Sequence, residues 1–206
     1  MELDFSKIKV VFMDIGGVTL SNGWDHDSRQ KAAQVFGFDY EEMNTLHNFI
    51  YNVFEIGSIS LDAYLDTVLF YKAQNFTKDN FKKFMYEQST ALPYMLSWLK
   101  YWKTKTNLPV FAINNESREL NDYRIKTFEL HQIFDGFLSS CYVGIRKPDP
   151  RIFQKALEIV QVLPEECLYF DDRPMLVHAA KQVGINAILH ENFDATKAIL
   201  DNLITE

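Results

Sequence analysis

Cysteine is scarce in this chain. Its 206 residues include two, Cys141 and Cys167, with no CxxC pair and no histidines at zinc spacing, which argues against a disulfide framework or a structural zinc site. Both thiols are expected to be reduced core residues. Basic residues are also short: 21 Lys and Arg against 28 Asp and Glu leave a formal net charge of -7. Proteins that neutralise nucleic-acid phosphates or an anionic membrane usually carry a basic face, so neither partner is expected, whereas a small phosphorylated ligand is unaffected. No long apolar run occurs. The N-terminal MELDFSKIKVVFMDIGG carries early acids and breaks at Asp14, so it reads as neither a signal peptide nor a membrane span, and a cytoplasmic location is expected. Internal repeats, low-complexity tracts and flexible linkers are likewise absent.

What is present is apolar material, 47% of the chain with 15% aromatic, enough to fold without staples. The length suits one α/β domain plus a modest insertion. The run IKVVFM at 8–13 is β-branched and apolar and stops at Asp-Ile-Gly-Gly, which predicts a buried, central first strand. Similar runs lie at 109–113, 136–139, 167–170 and 186–189. Helical patterns at 117–130, 150–161 and 176–183 alternate with them, so the expected fold is α/β with a doubly wound parallel sheet. Between Thr19 and Thr90 apolar residues recur at helical spacing instead, as at Leu61, Tyr64, Leu65 and Val68, with Ser60 and Thr77 placed as N-caps. The expected division is a core of residues 1–19 and 91–206 with a helical insertion at 20–90.

Ligands of parallel α/β sheets bind beyond the carboxyl ends of the strands. Residues just after the predicted strands are Asp14, then Asn114 and Asn115, then Arg146 and Lys147 on a loop, then Asp171 and Asp172. Three carboxylates gathered at one edge repel each other and call for a cation, and hard oxygens beside one lysine suit magnesium better than zinc. Such a site can bring an anionic phosphoryl group to a carboxylate nucleophile. Taken singly, each residue has a plainer reading. Asp14 is also a turn former, Asp171 and Asp172 also suit a helix N-terminus, and Lys147 also suits a solvated loop. Arg118 and Arg146 are read as ion-pairing residues, and His26, His47, His131, His178 and His190 as structural.

Taken together, MDIGGV at 13–18, INN at 113–115, GIRKPDPRIF at 144–153 and YFDD at 169–172 resemble the four ordered motifs of the haloacid dehalogenase-like (HAD) superfamily. The helical insertion after the first motif is similar to that superfamily's C1 cap. FEIGSIS at 54–60 resembles a cap segment of its sugar-phosphatase and epoxide-hydrolase-like branch. The resemblance implies Asp14 as nucleophile and metal ligand, a Gly16 carbonyl on the metal, and Asp171 and Asp172 beside it. It implies Lys147 bridging phosphate and nucleophile, with Asn114 and Asn115 near the phosphoryl oxygens. Trp24, Asn48, Tyr51 and Phe54 are candidate substrate contacts from the cap, or cap core.

The pattern departs from its relatives at Gly16, where most phosphatases of the superfamily place a second aspartate as general acid and base. That help is typically worth about 10²–10⁴-fold in rate, so a slow enzyme with a preference for good leaving groups is expected. Asn114 replaces a serine or threonine, and Leu176 replaces an acid that often supports the metal. Three functions follow: a magnesium-dependent hydrolase of small phosphate monoesters, a catalytically idle module binding a phosphorylated ligand, or a 2-haloacid dehalogenase. Substrate and oligomeric state are not legible.

Overall fold

The computed structural model describes residues 3–204; the outermost ends of the expected core segments, 1–2 and 205–206, lie outside the described residues. Five strands, β1 (Val10–Met13), β2 (Val110–Asn114), β3 (Gly136–Ser139), β4 (Cys167–Asp171) and β5 (Asn186–Leu189), form one parallel sheet in the order β3-β2-β1-β4-β5. The central strand is β1, and every residue in it is buried. A strand covered on both faces needs apolar side chains at consecutive positions, which is what Val-Val-Phe-Met supplies.

Alternate residues divide between the two faces. Val11, Met13, Ala112, Leu168 and Phe170 pack on one side with residues of α5 (Met95–Lys103) and α10 (Phe193–Leu200). Phe12, Ile113 and Tyr169 pack on the other with α8 (Pro150–Val160) and α9 (Pro174–Gln182). Helix α6 (Arg118–Thr127) follows β2, and the short α7 (Ser140–Val143) follows β3. This is the expected doubly wound sheet, with small shifts at the ends. The first strand begins at Val10, because Ile8 closes a 3-10 turn with its N–H on the Phe5 carbonyl. The helix after β2 stops at Thr127, and a second 3-10 turn covers Leu130–Gln132.

Four helices fill the stretch between Leu20 and Ala91: α1 (His26–Phe36), α2 (Tyr40–Glu55), α3 (Leu61–Val68) and α4 (Lys78–Glu87). Each begins at a side-chain cap, Asp25, Asp39, Ser60 and Thr77 in turn, which satisfies an otherwise orphaned backbone N–H. Their apolar faces meet in a separate cluster around Phe54, Leu61, Tyr64, Leu65, Phe81 and Met85. The two chain segments that join these helices to the sheet run side by side. Ser21 N–H donates to the Thr90 carbonyl at 2.8 Å and Leu92 N–H to the Thr19 carbonyl at 3.2 Å. Arg124 of α6 clasps both segments, with Nε on Ser89 Oγ at 3.0 Å and Nη2 on the Ser21 carbonyl. Among the described residues no helix is long and apolar enough to cross a membrane.

Candidate active site

Asp14 stands one residue beyond β1, and Asp171 is the last residue of the neighbouring β4, so parallel pairing of the two strands brings the carboxylates together. Lys147 Nζ lies between them, 3.1 Å from Asp14 Oδ2 and 2.7 Å from Asp171 Oδ2. It also donates to Tyr169 Oη at 3.0 Å. The ammonium thus hydrogen-bonds Asp171 and Tyr169 and ion-pairs with Asp14, in a side chain that is 1% exposed. Tyr169 in turn donates to Asp171 Oδ2, and Asp171 Oδ1 accepts from the Arg173 N–H at 2.9 Å. Asp14 Oδ1 accepts from the Ile15 N–H at 2.8 Å. Asp172 completes the cluster, since one carboxylate oxygen from each of Asp14, Asp171 and Asp172 lies within 4.8 Å of the others.

The electrostatics follow from burial. Desolvation pushes the Asp14 carboxyl up to about 6, with the Lys147 ammonium opposing the rise and the Asp171 charge adding to it. Asp172 is raised by burial and then by Asp171, against Arg173 and Asn22. Its Oδ1 is buried with no hydrogen-bond partner among the described residues. Gly17 makes that closeness possible. Its φ is +76°, and a Cβ there would stand 2.1 Å from Asp172 Oδ2. A side chain at position 17 would therefore push Asp172 out of the cluster.

The loop carrying Lys147 is held by Asn115. Its Nδ2 donates to the Lys147 carbonyl at 2.9 Å and its Oδ1 accepts the Lys147 N–H at 2.8 Å. Asn114 is turned elsewhere. Along β2 it shares a face with Ala112 rather than with Ile113, and its amide is taken up by Asn121 Oδ1 at 3.0 Å and Ser139 Oγ at 2.8 Å. It is not among the residues lining the cavity over the site, contrary to the expectation of a phosphoryl contact. Gly16 does line that cavity, and a Cβ on it would lie 3.2 Å from Asn22 Oδ1 and 3.7 Å from Arg124 Nη1. Leu176 lines it too.

That cavity, about 480 Å³, runs between the strand ends and the inserted helices. Trp24, Asn48, Tyr51 and Phe54 all line it. Trp24 and Phe54 also belong to the helices' own core, Phe54 stacking on Tyr64 at 4.2 Å. Sequence reasoning missed other wall residues. Arg146 was not one of these: as expected it is an ion-pairing residue, binding Glu55 Oε2 at 2.7 Å and Asn52 Oδ1 at 2.6 Å of α2 and tying loop to helix. Glu116, raised by burial against the Arg124 charge, sits 3.3 Å from Arg124 Nη1. Arg29 and His47 face the same space. Tyr169 was legible in principle, because it lies two residues before Asp171 on one strand and must share its face. Both cysteines are buried, with burial pushing each thiol up to about 12.

Known proteins resemble this chain in sequence and in shape. The chain is 30% identical over 118 residues to the phosphorylated carbohydrates phosphatase of Thermotoga maritima, covering 53% of this chain and 54% of that protein. It is 31% identical over 99 residues to flavin mononucleotide hydrolase 1 of Arabidopsis thaliana, covering 48% and 36%. The matches thus span about a third to a half of these curated relatives. Among solved structures, a HAD family enzyme from Bacteroides thetaiotaomicron superposes with a TM-score of 0.79 at 20% identity, covering 92% of this chain and 98% of that one. The same enzyme in complex with magnesium and inorganic phosphate gives 0.78. A haloacid dehalogenase-like hydrolase model matches residues 8–184, and the chain belongs to that family.

Proposed function

We propose that this chain hydrolyses small phosphate monoesters with magnesium, through an aspartyl phosphate on Asp14. The observation that carries the reading is Lys147 Nζ held between Asp14 and Asp171 with Asp172 beside them. The phosphatase name of the Thermotoga maritima relative supports it. All the donors are hard oxygens, and Asp172 Oδ1, buried with no partner among the described residues, suits a cation ligand, a donor set that fits magnesium better than zinc. Asp14, Asp171, Asp172 and the Gly16 carbonyl would hold the ion, which when bound supplies the positive charge that lets an anionic phosphoryl group approach a carboxylate.

The remaining chemistry belongs to the chain. Asp14 attacks phosphorus, the ester P–O bond breaks, and the departing oxygen takes its proton from water, because Gly16 has no side chain to supply one. Water then opens the aspartyl phosphate, releasing phosphate and restoring Asp14. Lys147 keeps the nucleophile ionised against its burial. The helices at residues 20–90 act as a cap that excludes water and selects the leaving group through Trp24, Asn48, Tyr51 and Phe54. Dehalogenation of a 2-haloacid is disfavoured, since Asp171 and Asp172 would repel the substrate carboxylate.

The test is phosphate release from a panel of small phosphomonoesters, including an aryl phosphate, with magnesium and with chelator, alongside the melting temperature in each condition. Magnesium-dependent release, faster for better leaving groups, is expected. A folded, magnesium-stabilised protein that releases phosphate from none of them would exclude hydrolysis of that panel and favour the binding module.

A further inference from the structure

The cavity wall carries several cations, and most of them face an acid. Arg124 has Glu116, Arg146 has Glu55, and Lys147 has Asp14 and Asp171. Arg173, which is exposed, has no acid within ion-pair reach among the described residues, and neither does the buried Arg29 of α1. Arg29 is 8% exposed and donates only to neutral oxygens, from Nη1 to the Trp24 carbonyl at 3.1 Å and from Nε and Nη2 to Asn44 Oδ1 at 3.4 and 3.3 Å. A guanidinium has five N–H donors. Two of them, one on each terminal nitrogen, therefore have no partner among the described residues, and no carboxylate there pairs with the charge. A buried cation without an anion is strongly destabilising unless something compensates it.

His47 of α2 lines the same cavity. Its Nδ1 lies 2.8 Å from Tyr64 Oη, which also receives the Trp24 indole N–H at 3.0 Å. Indole nitrogen donates only. If Nδ1 also carried a proton, the Tyr64 hydroxyl hydrogen would be buried without an acceptor, so Tyr64 donates to Nδ1 and the proton of neutral His47 is on Nε2. That N–H has no partner among the described residues. Burial, then the Arg29 charge, hold the imidazole down to about 3, so it stays a neutral donor across the physiological range. Tyr51 stacks on its ring at 5.4 Å and fixes its plane.

We infer that Arg29 and His47 form a second anion subsite, so that the substrate is a phosphate monoester bearing a further acidic group, a carboxylate or a second phosphate, on its leaving group. The inference rests on the phosphatase reading for the role of the first phosphate. The cavity volume of about 480 Å³ accommodates a molecule of sugar-phosphate size that reaches from Lys147 to Arg29. A free guanidinium edge beside a neutral N–H donor is a match for a planar or tetrahedral oxyanion.

The test measures binding to the full-length Asp14→Asn variant by calorimetry, in matched pairs. 2-Phosphoglycolate, 3-phosphoglycerate and 6-phosphogluconate are set against ethyl phosphate, glycerol 3-phosphate and glucitol 6-phosphate. Fructose 1,6-bisphosphate is set against fructose 6-phosphate to separate a phosphate partner from a carboxylate. At least one acidic member is expected to bind about tenfold tighter or more than its neutral partner. That ratio should collapse when Arg29→Met is added, survive partly in Arg29→Lys, and fall with His47→Leu more than with His47→Gln. If Arg29 only pins α1 to α2, Arg29→Met lowers the melting temperature and weakens both members of a pair equally, which overturns the subsite. Equal affinity within every pair, or binding of neither member, overturns it as well. Should Arg29→Met fail to fold, the wild-type ratio and Arg29→Lys still decide. Phosphate release by the unmodified protein is scored separately: release without acid preference sinks the subsite alone, and acid preference without release sinks the phosphatase reading alone.

Discussion

The two walls of the cavity are built on opposite principles. At the strand ends, charges answer one another: Lys147 is shared by Asp14, Asp171 and Tyr169, and Asn115 grips the loop that carries it. On the inserted helices, Arg29 and His47 keep N–H groups that no described residue accepts. The first wall's groups are largely satisfied by one another before any ligand arrives, which in the proposed reaction would hold the reacting atoms still. The second is held in place by packing but left incomplete in its polar contacts, which is where the proposed second anion subsite lies. The difference teaches that substitutions in the core wall should act on chemistry and on stability together, while those in the helical wall should act on selectivity.

The largest effect belongs to Asp14→Asn, which is expected to lower turnover of any active phosphomonoester on the order of 10⁴-fold or more while leaving the far-ultraviolet circular dichroism unchanged. Retained activity would remove Asp14 as nucleophile and break the contrast at its root. Lys147→Met comes next. It leaves Asp14 and Asp171 buried side by side with no cation, and a urea titration should show a loss of about 3–5 kcal/mol, part of it recovered on adding magnesium. Tyr169→Phe removes the hydroxyl that accepts from Lys147 and donates to Asp171, and should cost about 1.5–3 kcal/mol in the same titration.

The smallest effect sharpens the other side. His47 is held down to about 3 from an ordinary 6.5. Between those values the unfolded chain binds the proton and the folded chain does not, so wild-type stability falls as pH drops below about 6.5. In His47→Gln that component is gone, and between about pH 7 and about pH 5.7 the variant should lose about 1 kcal/mol less than wild type. Identical acid sensitivity in both proteins would mean that His47 titrates normally.

Much of the core wall was legible before any coordinates. Strand ends announce themselves as apolar runs that stop at Asp14 and at Asp171, and in a parallel sheet those ends converge. The second glycine of MDIGGV has its reason in the close approach of Asp172 to Gly17. Asn115 rather than Asn114 lines the cavity because adjacent positions along a strand point to opposite faces, and the motif alone does not say which of the two turns that way. Arg29 was passed over, and His47 read as structural, for a different reason. Residues from separate helices meet according to how those helices cross, and no local spacing in α1 or α2 reports that crossing.

By itself, then, the order of residues determined the sheet, its central strand, the helical character of residues 20–90 and the acidic cluster with its lysine, since period, strand length and chain direction are local quantities. Tertiary structure alone decided that Tyr169 and Asn115 hold Lys147, that Asn114 faces Asn121, and that Arg29 and His47 look into one cavity with groups to spare. Those outcomes depend on which faces are buried against which. A partner brought within hydrogen-bond reach from another element of the fold is a property of packing, not of any stretch of sequence.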